Sequence, residues 1–351
     1  MNRFANIEFF RIFFSMVIVY FHILHSNIMP YTKGIKAYFE LAYSSNNAGY
    51  IVECFFIISG YFLFSSMGKR NESFLDFLMK KVVRLWPALA FSTVFVFIFG
   101  RFNTYNVFTQ LLNLLFLQCI GFSFDFKGIN WYISPLFWGL LFYFALYKYF
   151  NKQKGLFFTG VLVYFSYLAN ISFSHGGFGR ETVWGLVNLG LCRALAGIGF
   201  GIILGALLEN TEYIRIERIS SRTQIVAASA LEVITLTGLC FYFFQPVKYN
   251  AFIVIPLFSI LFCLFIKKKG CISKALDSPI FIKLGRYGYS IYVMQQTSFW
   301  ILQRTLWKTS IIYNVPFCLI ISLLFSFSIG CITYHLIEKP ALKILNMIKI
   351  A

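Results

Sequence analysis

Charge is scarce in this chain. Asp, Glu, Lys and Arg together make up 13% of its 351 residues. A soluble domain carries roughly 25%, so a water-soluble globule is excluded, as are the many functions that need one. Alternation of polar and apolar residues is missing too. Hydrophobic residues reach 59% of the chain and mean hydropathy is +0.72. The apolar runs are unbroken for about 16–25 residues, which suits spanning helices and not barrel strands. Acidic residues number only 13 against 31 Lys and Arg, a net charge of +18. The basic residues sit mostly between the apolar runs, so they point to membrane lipid and not to nucleic acid.

Other absences narrow the reading further. No CxxC occurs, and the eight cysteines fall almost entirely inside apolar runs. They read as small buried hydrophobes, not as disulfides or zinc ligands. No metal is expected. The N-terminus does not resemble a cleaved signal peptide, because charge interrupts its apolar run and Met29-Pro30 stands where a small-residue site belongs. Internal repeats and low-complexity linkers are absent, and no loop is long enough for a soluble domain.

What is present is a series of spans, expected at about 7–29, 48–66, 85–100, 131–150, 155–173, 183–208, 225–244, 250–266, 287–304 and 314–337. The stretch 107–121 is ambiguous, and positive charge decides it, since Lys and Arg accumulate in cytoplasmic loops. With 107–121 as a re-entrant or surface helix, 21 basic residues face the cytoplasm and eight face outward, leaving Arg11 and Arg193 within spans. Counting it as a full span would reverse every later loop. The expectation is therefore an all-α polytopic protein of about ten transmembrane helices, one membrane-embedded domain over 1–351, with both termini cytoplasmic.

The first span keeps ionisable groups where hydrocarbon makes them costly. From Arg11 to His22 is eleven steps, three turns plus about 20°, so both lie on one face roughly 16.5 Å apart. Glu8, Arg11, Ser15, His22 and His25 follow at three- or four-residue steps, with Ile18 in the gap. A packing stripe of satisfied polar groups would look like this. So would a polar track running from the cytoplasmic end to a histidine near the outer end.

The segment "IEFFRIFFSMVIVYFH" (Ile7 to His22) resembles the opening of the acyltransferase-3 family of integral membrane proteins. That family places an acidic residue, a basic one three later and a histidine eleven after that, which Glu8, Arg11 and His22 match. "VECFFIISGYFLF" (Val52 to Phe64) is similar to its second helix, and "KKVVRLWP" (Lys80 to Pro87) to its basic segment, with Lys81 replacing an arginine. "NWYISPLF" (Asn130 to Phe137) resembles its tryptophan-centred fourth helix, and "IEKP" (Ile337 to Pro340) the motif closing its last span. "LGRYGYSIYVMQQ" (Leu284 to Gln296) also resembles a family stretch, but Gln295 stands where a histidine is common. The similarity runs through essentially the whole chain in order.

The resemblance implies transfer of an acyl group, usually acetyl from acetyl-CoA, onto a hydroxyl of a glycan or lipid-linked saccharide outside the cytoplasm. An inner-membrane, multi-pass location goes with it. Arg11, Lys81, Arg84 and Lys80 would hold the CoA phosphates, since guanidinium and ammonium groups pair well with phosphate. His22 would act as general base or carry the acyl group transiently, and the sequence leaves both open. Glu53 is the candidate acid to orient the imidazole, by analogy with other His-dependent sites. Ser59, beside Gly60, would donate a hydrogen bond or simply pack.

Arg193 is a second charge within a span and needs a buried partner or a cavity. Donor, acceptor and Glu53 are all open as that partner. Trp131 and Tyr132 suit a sugar platform or an interfacial anchor equally. Gly197, Gly201 and Gly205 have the spacing of tight helix packing. His175, between glycines, reads as solvated, and His335 as an interfacial residue. A transporter or exporter would also keep charges at membrane depth. It would not explain basic residues aligned with a distant histidine.

Overall fold

The computed structural model describes residues 4–25, 47–67, 72–99, 104–120, 129–174, 177–211, 221–244, 251–305 and 315–348. These residues are overwhelmingly helical. In chain order the helices are α1 (Ala5–His25), α2 (Ile51–Met67), α3 (Phe74–Phe99), α4 (Thr104–Leu114), α5 (Ile133–Tyr149), α6 (Lys152–Phe173), α7 (Leu189–Thr211), α8 (Ser221–Phe243) and α9 (Val254–Lys267). The short α10 (Cys271–Ala275) and α11 (Pro279–Leu284) follow, then α12 (Gly288–Arg304), α13 (Val315–Thr333), a π turn over Tyr334–Glu338, and α14 (Lys339–Ile348). Six segments among the described residues are long and apolar enough to cross a membrane, four of them beginning at Ala5, Ala48, Lys152 and Leu189. The other two begin at Arg222 and Pro316. The remaining four expected spans also fall on helices: α3, α5, α9 and α12.

Two places differ in detail from the sequence reading. The expected span 183–208 begins later, because Thr182–Val183 and Val187–Asn188 pair as a small antiparallel ladder. Its turn holds Trp184 at φ 52° and Gly185 at φ 69°. Asn188 then accepts from Leu191 N at 3.0 Å, a side-chain cap that fixes the start of α7. The ambiguous stretch 107–121 holds most of α4, whose 11 described residues rise about 16.5 Å at 1.5 Å each, well short of a bilayer core of about 30 Å. After it the chain turns through positive φ at Phe116 and Cys119. The Phe116 carbonyl accepts from Ser134 Oγ at 2.6 Å and from Trp138 Nε1 at 2.7 Å, which ties the turn to α5.

Small residues let the central helices touch backbone to backbone. A Cβ on Gly60 would collide with the Ile198 carbonyl, and one on Gly201 with that of Ile57. The Gly197/Gly201/Gly205 face of α7 therefore packs against α2, as small-xxx-small spacing predicts. In the same way Gly285 lies against Glu8, and Gly288 against Arg11 and Ser15. That second contact brings α12 alongside the polar face of α1. It positions the site.

Candidate active site

Along α1 the polar stripe is tied down at its N-terminal end. Arg11 Nη1 lies 3.0 Å from Glu8 Oε1, and its guanidinium sits 5.2 Å from the Phe62 ring centroid. Ser15 Oγ lies 2.8 Å from the Arg11 carbonyl and 3.0 Å from that of Gly288, so one hydroxyl joins two helices. His22 is half-buried and His25 exposed. His25 Nδ1 is 2.8 Å from the Phe21 carbonyl.

A cavity of about 350 Å³ opens beside this stripe, lined by Arg11, Ser59, Lys81, Arg84, Tyr132 and Tyr292 among others. Four separate helices and the turn before α5 supply those six side chains. Tyr132 and Tyr292 meet edge to face, ring centroids 4.8 Å apart, and form part of its wall. Three cations in one pocket with few acids is a binding site for a polyanion by simple electrostatics. Each has a different neighbour. Arg11 holds Glu8. Arg84 reaches the fully buried Glu338 at 3.7 Å, whose other oxygen accepts from Ser290 Oγ at 2.7 Å. Lys81 lies 4.7 Å over the Phe77 ring, and no carboxylate within ion-pair distance is seen among the described residues. Lys80 is paired with Glu72 and does not line the cavity.

A second buried cluster stands apart from the cavity lining. Arg193 Nε and Nη2 both lie 2.7 Å from Glu53 Oε1. Nη1 reaches the carbonyls of Phe178 and Gly179 at 3.3 and 3.4 Å. The guanidinium is sandwiched between Trp131 at 4.8 Å and Phe178 at 5.3 Å. Arg193 is thus committed to Glu53, two rings and a loop. Glu53 Oε2 is buried with no hydrogen-bond partner among the described residues. Trp131 is buried, with its ring under the Arg193 guanidinium.

Two further groups approach the stripe from a distance in sequence. Arg180, on the loop that Arg193 holds, is near enough to act electrostatically on both His22 and Tyr292. It is exposed. Gln295 is fully buried on α12. No pattern in the sequence links either to His22; only the packing of α12 and of the 177–188 loop does. His175 lies outside the described residues, and His335 Nε2 sits 3.1 Å from Tyr287 Oη.

A larger cavity, about 760 Å³, lies between α2, α7 and α9 and is lined by Lys152, Lys267, Lys269 and Glu209. It contains none of the α1 stripe. Lys152 and Glu209 there neutralise each other at 2.6 Å. Volume alone is a weaker argument than converging cations, so the smaller cavity is the candidate site.

A protein-family comparison matches residues 4–335 to the family described as an acyltransferase domain. Searches of curated proteins and of solved structures give no match.

Proposed function

This chain belongs to the acyltransferase-3 family and is a multi-pass membrane acyltransferase, and from that premise we propose an O-acetyltransferase drawing on cytoplasmic acetyl-CoA. Its acceptor is a hydroxyl of an extracytoplasmic glycan or lipid-linked saccharide. One observation carries the reading: Arg11, Lys81 and Arg84 converge on one cavity at the N-terminal end of a stripe that reaches His22 near the other end of the same helix. A CoA headgroup cannot enter hydrocarbon, but its phosphates can bind at a basic mouth while the thin pantetheine arm follows a groove. In this assignment His22 receives the proton of the attacking hydroxyl or carries the acyl group itself. Ser59 lines the cavity, and Glu53 acts on the site through Arg193. Purified protein given radiolabelled acetyl-CoA and base-deacetylated envelope saccharide should transfer label and release CoA. Transport of an unmodified saccharide with no label transfer would sink the proposal.

Lys81 gives the cleanest test of the donor site. Arg84→Ala would strand the buried Glu338 and Arg11→Ala the buried Glu8, whereas Lys81 has no such ion-pair partner among the described residues. A charge-assisted hydrogen bond contributes about 1.5–3 kcal/mol. Lys81→Met should therefore raise KM for acetyl-CoA roughly ten- to hundredfold with kcat nearly unchanged, the mark of lost uniform binding. An unchanged KM would remove Lys81 from the donor site.

Membrane orientation rests on the positive-inside argument and is tested separately. Cys240 and Cys271 are exposed thiols and are first replaced by serine. A cysteine at Arg180 should then react with an impermeant maleimide added outside. Cysteines at Lys152 or Lys268 should react only after the membrane is opened. Outside labelling at Lys152 would mean that the chain crosses between α3 and α5 after all.

A further inference from the structure

Two helices run side by side in the same direction at the site. Gly285 meets Glu8, and one turn later Gly288 meets Arg11 and Ser15. Ser15 Oγ, 3.0 Å from the Gly288 carbonyl, fixes the register of α1 against α12. His22 follows Ser15 by seven residues, and Gln295 follows Gly288 by seven. Seven steps rotate each helix to within about 20° of two full turns and raise it about 10.5 Å. His22 and Gln295 therefore lie at the same height on the facing lines of the two helices. Tyr292, one turn before Gln295, is already part of the cavity wall.

Gln295 is 0% exposed, and neither Nε2 nor Oε1 has a hydrogen-bond partner among the described residues. A buried amide with all its capacity unused is costly, and native structures rarely keep one without a purpose. Leucine would fill the same space at no such cost. The neighbouring Ser298, by contrast, is satisfied by the Gln295 carbonyl and by Ser326 Oγ, both at 2.7 Å. Thr297 Oγ1 on the same helix also lacks a partner among the described residues, but Gln295 leaves both a donor and an acceptor unused on the line that the helix register turns towards His22.

We propose that Gln295 is a catalytic residue whose Nε2–H donates to the thioester carbonyl oxygen as it becomes an oxyanion. The assignment rests on the proposed function above, with His22 as base. The acceptor oxygen attacks the carbonyl carbon, forming the new C–O bond while His22 takes the hydroxyl proton. The displaced π pair moves to the carbonyl oxygen, where the buried amide of Gln295 stabilises it. As that pair returns, the C–S bond breaks and the thiolate leaves, taking the proton from the imidazolium. Such a donor, buried and with no competing partner among the described residues, has no hydration to shed in the transition state.

The test uses full-length protein in detergent, acetyl-CoA as donor and base-deacetylated envelope saccharide as acceptor. Gln295→Leu should lower kcat about 10²–10³-fold, the range found when one oxyanion donor is removed. KM for acetyl-CoA should stay the same, and the melting temperature should hold or rise. Gln295→Asn, which keeps the amide but withdraws it, should fold normally and lose activity to a smaller degree. Wild-type kcat in folded Gln295→Leu would overturn the proposal. If that variant fails to fold, wild-type kcat in Gln295→Asn would do so instead. His22→Ala in the same assay separates the two claims. If it is inactive while Gln295→Leu is active, only the role of Gln295 falls; if His22→Ala is itself active, the proposed site falls with it.

Discussion

His22→Ala should reduce acyl transfer about 10²–10⁴-fold, the usual cost of losing a general base, while leaving insertion and expression intact. His22 follows Ser15, which contacts Gly288, by two turns, a register that puts it on the line of α1 facing α12, and it is half-buried, so a substrate can reach it. His25 is three residues further on, exposed, with its ring packed 4.2 Å from that of Phe21. His25→Ala should therefore be mild. Equal losses at the two positions would point to a structural role for the end of α1, and more than a tenth of wild-type turnover in His22→Ala would exclude it as the base. The same preparation separates base from acyl carrier. Acetyl-CoA supplied without acceptor should leave label on the wild-type protein only if the imidazole is acylated.

Much of this was legible because it is local. The stripe from Glu8 to His25 follows from the helical repeat alone, and the structure keeps it on one helix with Arg11 bound to Glu8. The glycine spacing of α7 likewise announced a close approach, and Gly201 does pack against the backbone of Ile57. What stayed hidden depends on contacts far apart in sequence. The sequence left Glu53 open between orienting His22 and pairing with Arg193, and only a contact across 140 residues puts Arg193 on it. The route from Arg193 through the Phe178 and Gly179 carbonyls to Arg180 leaves no periodic trace. Lys80 and Lys81 are adjacent and chemically alike, and only their rotation about α3 sends one to Glu72 and the other to the cavity. Even the start of α7 turned on a single side chain, Asn188, whose cap ends the hairpin where hydropathy would have carried the helix back.

The buried pair itself should give the largest stability effect. Arg193 and Glu53 are 5% and 0% exposed at the side chain, so Arg193→Ala would leave a carboxylate in the interior with nothing opposite it. Breaking a buried pair from one side costs about 3–5 kcal/mol, enough to lower the melting temperature in detergent markedly. Glu53→Ala should be comparably harmful, since it strands the guanidinium between Trp131 and Phe178. The double replacement Glu53→Gln with Arg193→Met removes both charges, and buried pairs exchanged for neutral groups of similar size are often no less stable. Its melting temperature should return close to wild type. Activity should not return, because methionine cannot donate to the carbonyls of Phe178 and Gly179 that seat Arg180 near His22. A single Arg193→Ala variant melting like wild type would show that the pair contributes no net stability. A fully active double variant would show that the loop keeps its place without it, and the path from Glu53 to His22 would have to be abandoned.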